Sequence, residues 1–228
     1  MDKTKAKLIL LRHGASLWNE KNIFTGWVDI PLSTKGIEES FQAGKKIAHI
    51  PIDVIFVSTL IRAQMTAMLA MSVHEGDKVP CIEHPEGKLG EWAEIYSEET
   101  QKSCIPVHVA WQLNERMYGQ LQGMNKDEMR QKYGADQVQI WRRSFDIAPP
   151  EGESLEMTAA RSIPYFQEMV VPLLKKGKNI LISAHGNSLR SIVMYLDKLS
   201  NDEVVKLEMA TGAPMIYTFE AGHWHKDA

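Results

Sequence analysis

Short apolar runs alternate along the chain with segments of helical periodicity. Three runs predict buried strands, at Leu8–Leu11, Val54–Val57 and Asn179–Ala184. Unbroken apolar runs are typical of parallel strands that are covered on both faces. Met215–Phe219 predicts a last strand near the end of the chain. Strands that alternate with helices indicate an α/β fold with a central, mostly parallel sheet flanked by helices, a three-layer sandwich.

Helices are predicted between these strands. Ser33 is a suitable N-cap for a helix to Ile50, and Pro164 should kink a long helix that Ser154 caps and Gly177 ends. The helical segments are Ser33–Ile50, Leu60–Met71, Asn125–Tyr133, Asp136–Phe145, Ser154 to about Lys176, a helix after Asn187, and a short one capped by Ser200.

The alternation stops in a polar stretch between His74 and Pro106. It predicts a short helix near Glu91–Glu99 and no strand. About 30 residues are too few to build a core of their own. We therefore interpret residues 1–228 as a single domain with an excursion on one face at about 74–106.

Composition and charge exclude several classes of protein. The 228 residues include 26 basic and 29 acidic ones, a formal net charge of -3, which argues against a nucleic-acid-binding protein. No apolar stretch reaches the ~20 residues that a membrane helix needs. The first apolar run is too short for a signal peptide. We expect a soluble cytoplasmic protein whose two cysteines, Cys81 and Cys104, are free thiols.

Two distant strands end in the same dipeptide. His13-Gly14 follows the first strand and His185-Gly186 follows the last buried one. Functional groups gather at the carboxyl ends of strands in open α/β sheets, so we expect the two histidines in one site. For either histidine alone, an ordinary polar residue at a strand end would be the better interpretation.

Histidine and arginine together favour phosphoryl chemistry. Neutral imidazole is a covalent nucleophile at neutral pH. Arg12 adjoins His13, and Arg62 begins a helix directly after the second strand, so both guanidinium groups could hold phosphate oxygens. Metal chemistry is the rival interpretation, but no carboxylate lies at ligand spacing from either histidine, and we expect no metal. His223 and His225 are interpreted as exposed tail residues.

A third element concentrates charge. The segment Leu113–Gly123 carries Glu115, Arg116 and Tyr118, which could supply a proton donor and a grip on an anion. Taken alone, this segment is a weak signal, because solvated loops often contain such residues. Trp141–Arg143 alone is better interpreted as an exposed basic turn.

Together these segments resemble the cofactor-dependent phosphoglycerate mutases of the histidine phosphatase superfamily. Arg-His-Gly marks the superfamily, whereas Phe-Thr-Gly-Trp, Asn-Glu-Arg-x-Tyr-Gly and Trp-Arg-Arg mark the mutase branch. The matching segments span nearly the whole chain: Leu11–Asn19, Phe24–Trp27, Pro31–Gly36, Ser58–Ala63, Leu113–Gly123, Trp141–Arg143, Gly152–Ser154 and Ala184–Arg190.

The resemblance implies a role for each matching residue. His13 would be the phosphorylated nucleophile, His185 would stabilise the transition state, and Glu115 would be the general acid and base. Arg12 and Arg62 would hold the transferring phosphoryl group. The residues implied to surround the phosphoglycerate are Ser16, Asn19, Thr25, Gly26, Arg116, Tyr118, Lys126, Arg142, Arg143, Gly186 and Asn187.

The implied reaction interconverts 3-phosphoglycerate and 2-phosphoglycerate through phosphohistidine, after priming by 2,3-bisphosphoglycerate and without metal, in glycolysis and gluconeogenesis. A metal-independent phosphatase and a non-catalytic phospho-ligand sensor are the alternatives. Relatives occur in several oligomeric states, of which we favour a homodimer. The chain departs from the family pattern in a longer 74–109 segment and a shorter 150–154 loop, so part of the cover over the site in many bacterial relatives is missing.

Overall fold

The computed structural model describes residues 5–84 and 86–227, and residues 1–4, 85 and 228 lie outside this description. Its centre is one seven-stranded sheet in the order β3-β4-β2-β5-β1-β6-β7. The strands are β1 Lys5–Arg12, β2 Val54–Val57, β3 Val79–Ile82, β4 Cys104–Val109, β5 Ile180–Ala184, β6 Pro214–Glu220 and β7 His223–Lys226. Strands β3, β4, β2, β5 and β1 run parallel, and β6 and β7 each pair antiparallel with the strand before them in this order. The predicted α/β class with a mostly parallel sheet is confirmed.

Helices cover both faces of the sheet. They are α1 Leu17–Glu20, α2 Thr34–Ile47, α3 Ile61–Met71, α4 Gly87–Trp92, α5 Glu98–Lys102, α6 Lys126–Tyr133, α7 Ala135–Arg143, α8 Leu155–Tyr165, α9 Val171–Lys175, α10 Gly186–Asp197 and α11 Asn201–Val204. Ser33, Asn125, Ser154 and Ser200 cap their helices with side-chain oxygens, as predicted.

Alternate residues of the central strands enter two separate cores. Ile9 and Leu11 point toward α2 and α3, whereas Leu8 and Leu10 point toward the layer of α8, α9 and α10. Successive side chains of a strand face opposite sides, so an unbroken apolar run is needed where both sides are covered. This explains why the strands that the sequence predicted are the central ones.

The 74–106 segment differs from its prediction. It contributes β3 and β4, which extend the sheet at one edge, and its helices are two short ones rather than one over Glu91–Glu99. Ser97 explains why a second helix begins, because its side chain accepts a hydrogen bond from the Thr100 N–H and so caps a new helical turn. Strand β3 was missed because it is a half-exposed edge strand of four residues that is interrupted by Pro80.

The chain also ends differently from its prediction. β6 is followed by a further strand, β7, so His223 and His225 are exposed as predicted but belong to the sheet rather than to a tail.

The long helix after Ser154 extends to Lys175 and changes to a π-helical turn at Phe166–Val170. That turn directly follows Pro164, which has no N–H to give to the α-helical ladder.

Truncation of the core should be costly. Leu10 is fully buried in β1, so we expect Leu10→Ala to lower the free energy of unfolding by about 2–5 kcal/mol through lost burial and a cavity. Met157→Ala on the exposed face of α8 is the control, with a change within about 0.5 kcal/mol. Urea unfolding measures both, and equal effects would contradict this packing.

Candidate active site

The pairing of β1 with β5 brings the two His-Gly dipeptides together. Arg12 is in register with Ala184, and the His13 N–H donates to the Ala184 carbonyl at 3.0 Å. The two imidazole rings follow at the same edge with centroids 4.9 Å apart. The structure therefore brings both histidines together at one edge of the sheet.

One hydrogen bond sets the tautomer of His13. Its Nδ1 lies 2.7 Å from the Gly14 carbonyl oxygen, which can only accept, so Nδ1 carries the proton. Nε2 is then left with a free lone pair. Burial, with the charges of Arg62 and Arg12, holds the pKa of His13 well below 6.5. The imidazole is therefore neutral, the form that a nucleophile requires.

His185 lies beside His13 and away from solvent. It is completely buried, and its Nε2 is 2.7 Å from the Ser58 hydroxyl oxygen. Burial and the charge of Arg62 hold its pKa well below 6.5 as well. His185 thus supports the site from beneath rather than forming its open wall.

A pocket of about 290 Å³ opens above His13. Most of the predicted site residues line it, and they come from segments that are far apart in the sequence. They are Arg12, His13, Asn19, Thr25, Gly26, Arg62, Glu115, Tyr118, Lys126, Arg142, Arg143, Gly186 and Asn187. Gly186 and Asn187 begin α10, so the positive end of that helix dipole also faces the pocket.

The cations of the pocket are held in place by backbone carbonyls. Arg62 donates to the carbonyls of Val28 and Gly26 at 2.9 and 2.7 Å, and its burial lowers its pKa to about 10. Arg12 donates through Nη1 to the Met209 carbonyl at 2.5 Å. Its buried Nε has no hydrogen-bond partner among the described residues. Fixed, incompletely paired guanidinium groups next to His13 are suited to phosphate oxygens.

Glu115 is the carboxylate of the site. Its Oε1 accepts from the Arg116 N–H at 2.7 Å and from the side chain and backbone N–H of Asn187 at 2.8 and 3.1 Å. Burial alone would raise its pKa, but these hydrogen bonds and the charges of Arg12 and Arg62 outweigh burial and lower it. Glu115 is therefore ionised and able to accept a proton.

A buried salt bridge holds the segment that carries Glu115. Arg161 pairs with both carboxylate oxygens of Glu153 at 2.9 and 2.8 Å. The same guanidinium donates to the carbonyls of Gln112, Asn114 and Glu115. Five donor contacts from one rigid fork fix the backbone of the loop, and so the position of the carboxylate.

Two other predicted residues do not reach the pocket wall. Ser16 is fully buried, caps α1 and hydrogen-bonds with Asn19, so it orients Asn19 from behind. Arg116 is also fully buried and donates to the Tyr118 hydroxyl at 3.0 Å and to the Arg142 carbonyl at 2.9 Å. Burial would raise the pKa of Tyr118, but the charges of Arg116 and Arg142, together with the hydrogen bond from Arg116, outweigh burial and lower this pKa.

Four lining residues were not predicted: Ile23, Phe24, Arg190 and Glu208. Arg190 follows Asn187 by three residues on α10 and donates to its Oδ1 at 3.2 Å, so helical spacing could have revealed it. Glu208 pairs with Arg143 at 2.7 Å across the rim. No sequence signal indicated Glu208, because it belongs to an irregular segment brought in by tertiary packing.

The pocket is dominated by positive charge. Burial and neighbouring arginines lower the pKa of Lys126 and Arg142, the response of cations that are crowded together. Within residues 5–84 and 86–227 no three His, Cys, Asp or Glu side chains cluster as metal ligands would. In the same part of the chain, every helix is too short or too polar to cross a membrane. The arrangement suits a small ligand with more than one anionic group.

Comparison with known proteins is consistent with this chemistry. A family model described as histidine phosphatase superfamily (branch 1) matches residues 8–104 and 90–228. The 2,3-bisphosphoglycerate-dependent phosphoglycerate mutase of Protochlamydia amoebophila is 67% identical over 96% of this chain and 98% of its own. Mutase 1 of the same description from Arabidopsis thaliana is 60% identical over 97% of this chain and 67% of its own. The structure of Bacillus stearothermophilus YhfR shares the fold, with a TM-score of 0.75 at 24% identity over 97% of this chain and 95% of its own.

The two buried neutral histidines should make stability depend on pH. Below pH 6.5 the unfolded chain binds protons at His13 and His185 that the folded chain excludes, so the free energy of unfolding should fall as pH falls. The slope approaches about 1.4 kcal/mol per pH unit for each histidine. Urea unfolding between pH 7 and 5.5 measures it. His13→Asn should flatten the slope, and an unchanged slope in that variant would contradict the assignment.

Proposed function

Since the chain belongs to the histidine phosphatase superfamily, branch 1, and within it to the 2,3-bisphosphoglycerate-dependent phosphoglycerate mutases, we propose that it interconverts 3-phosphoglycerate and 2-phosphoglycerate. It is an isomerase that acts through phosphohistidine. The observation that carries the proposal is the free, neutral Nε2 of His13 in a pocket that combines fixed guanidinium groups with one ionised carboxylate, Glu115. The high identity to mutases favours isomerisation over the phosphatase and sensor alternatives.

His13 is the proposed phosphoryl carrier. The Gly14 carbonyl holds its ring through Nδ1, so Nε2 faces the reacting group. Arg12 and Arg62 compensate the negative charge of the phosphoryl oxygens while the phosphoryl group moves between His13 and a substrate hydroxyl. Phosphoryl transfer depends mainly on positioning and charge stabilisation, which this arrangement supplies. His185 stabilises the same region from beneath.

Glu115 is the proposed proton carrier. When a substrate hydroxyl attacks the phosphoryl group on His13, the ionised carboxylate accepts the hydroxyl proton. In the return step the protonated carboxyl gives a proton to the oxygen that leaves. Asn187 and the Arg116 N–H favour the ionised state and so set the order of the two roles.

The residues fit the primer that this family uses. Among the described residues, two buried groups on the pocket wall have no hydrogen-bond partner, Arg12 Nε and the Thr25 hydroxyl, and an anion could complete their hydrogen bonds. Arg12 and Arg62 would hold one phosphate beside His13, and Arg142, Arg143 and Lys126 would face the other anionic groups. When bound, 2,3-bisphosphoglycerate supplies the phosphoryl group that loads His13. Within the phosphoglycerate pocket, Asn19, Thr25, Gly26, Tyr118, Gly186 and Asn187 complete the proposed contacts.

We also propose the domain extent, the localisation and the oligomeric state of the protein. The chain would be one phosphoglycerate mutase-like domain over residues 1–228, cytoplasmic, and a homodimer. Sedimentation equilibrium of the full chain distinguishes the dimer from the monomer.

Loss of the nucleophile should abolish phosphoenzyme and activity together. His13→Ala should lower kcat by about 10³-fold or more and remove the acid-labile, base-stable label that 2,3-bisphosphoglycerate leaves on the wild-type protein. His223→Ala in β7, an exposed histidine, is the matched control and should retain both. EDTA should leave the wild-type rate unchanged. A labelled, active His13→Ala protein would contradict the mechanism.

Loss of the proton carrier should separate chemistry from binding. Glu115→Gln keeps the size of the side chain but cannot accept the hydroxyl proton, so kcat should fall about 10²–10⁴-fold while KM changes little. A coupled enolase assay measures both constants. A large rise in KM at unchanged kcat would instead assign Glu115 to substrate binding.

A further inference from the structure

The two cysteines of the chain lie side by side in the sheet although they are 23 positions apart in the sequence. Cys81 lies in β3 opposite Pro106, and Cys104 lies in β4 opposite Val79, in a parallel register. The offset of two positions places both side chains on the same face. Their Sγ atoms are 2.6 Å apart. The sequence contains no other cysteine, so any thiol chemistry of this protein belongs to this pair.

A small oxidant can reach the pair. Both cysteines are half-buried free thiols, and both line a cavity of about 470 Å³ at the edge of the sheet. Ile82, Ala93 and Pro106 form part of its wall. The cavity shares no residue with the pocket above His13.

We propose that Cys81 and Cys104 are an oxidative modification site that hydrogen peroxide converts into a disulfide between β3 and β4. In the first step one sulfur attacks the peroxide, its S–O bond forms as the O–O bond breaks, and one water leaves. In the second step the other sulfur attacks the sulfenic acid, the S–S bond forms as the S–O bond breaks, and a second water leaves. The two thiols lose two electrons in total, and the peroxide gains them.

The contact between the thiols changes the reactivity of Cys81. Its Sγ lies against the Cys104 sulfur. Burial and this contact raise the pKa of Cys81 to about 11. Thiolate is the reactive form, so Cys81 attacks a peroxide more slowly than a cysteine thiol of ordinary pKa would.

The disulfide would constrain one edge of the sheet, the edge formed by β3. β3 has β4 as its single neighbour, and Val79 on it is 60% exposed. The bond would close the chain from Cys81 to Cys104, which includes α4 and α5, into a loop. We expect the oxidised protein to resist proteolysis within this loop and to unfold at a higher temperature.

To test for this disulfide, the reduced full-length protein is treated with one to two equivalents of hydrogen peroxide at neutral pH. We expect an intact mass lower by about 2 Da, loss of both thiols toward Ellman's reagent, and a Cys81–Cys104 peptide that dithiothreitol splits. Cys81→Ser should instead give a sulfenic acid on Cys104 that dimedone traps. Cys104→Ser, the reciprocal variant, should likewise give a trapped sulfenic acid, on Cys81, and no disulfide within the molecule.

Mutase activity provides the independent readout. Neither cysteine lines the pocket above His13, so the oxidised protein and both serine variants should retain activity within about twofold. Circular dichroism of the variants confirms that they fold. Separate oxidation of both sulfurs, or disulfides only between molecules, would overturn the proposal, and neither result bears on the proposed mutase function.

Discussion

The parallel pairing of β1 with β5 is the constraint on which the site depends. The bond from the His13 N–H to the Ala184 carbonyl is the last contact of that pairing, and it fixes both imidazoles side by side. Their position is buried and crowded with guanidinium groups, so both rings are held neutral. Neutrality leaves one nucleophilic nitrogen on His13, and the surrounding positive charge is left for the ligand to neutralise. The strand pairing thus places the nucleophile among the cations, and the Gly14 carbonyl then sets its tautomer.

Close backbone packing keeps this arrangement rigid. A Cβ on Gly14 would lie 2.2 Å from the Gly36 carbonyl oxygen, so the loop after β1 touches the first turn of α2 directly. No other residue fits there without displacing one of the two backbones. On the opposite side of the pocket, the Arg161–Glu153 pair fixes the loop of Glu115. Nucleophile and proton carrier are therefore each held by contacts that do not involve the substrate, as preorganised catalysis requires.

Net charge is a poor guide to this protein's ligand. The chain is slightly acidic overall, yet Arg12, Arg62, Lys126, Arg142 and Arg143 all line one small pocket. A concentrated field in a partly buried cleft acts on the ligand far more strongly than charges dispersed over the surface. Glu208 offsets part of this charge at the rim of the pocket, where it pairs with Arg143.

The sequence by itself determined the central strands, the capped helices and the nature of the chemistry. Those features are local: an apolar run such as Val54–Val57 needs cover on both faces, and Ser33 or Ser154 caps the beginning of a helix through its own side chain. Resemblance to a family then indicated most of the pocket wall. The tertiary structure decided that Ser16, Arg116 and His185 support the site from behind, because burial depends on what packs against a residue rather than on its type. It also decided that the 74–106 segment adds an edge strand, β3, beside β4 and brings Cys81 to Cys104. An edge strand is stabilised by its neighbour's hydrogen bonds rather than by an apolar pattern of its own, so it left no periodic signal to recognise.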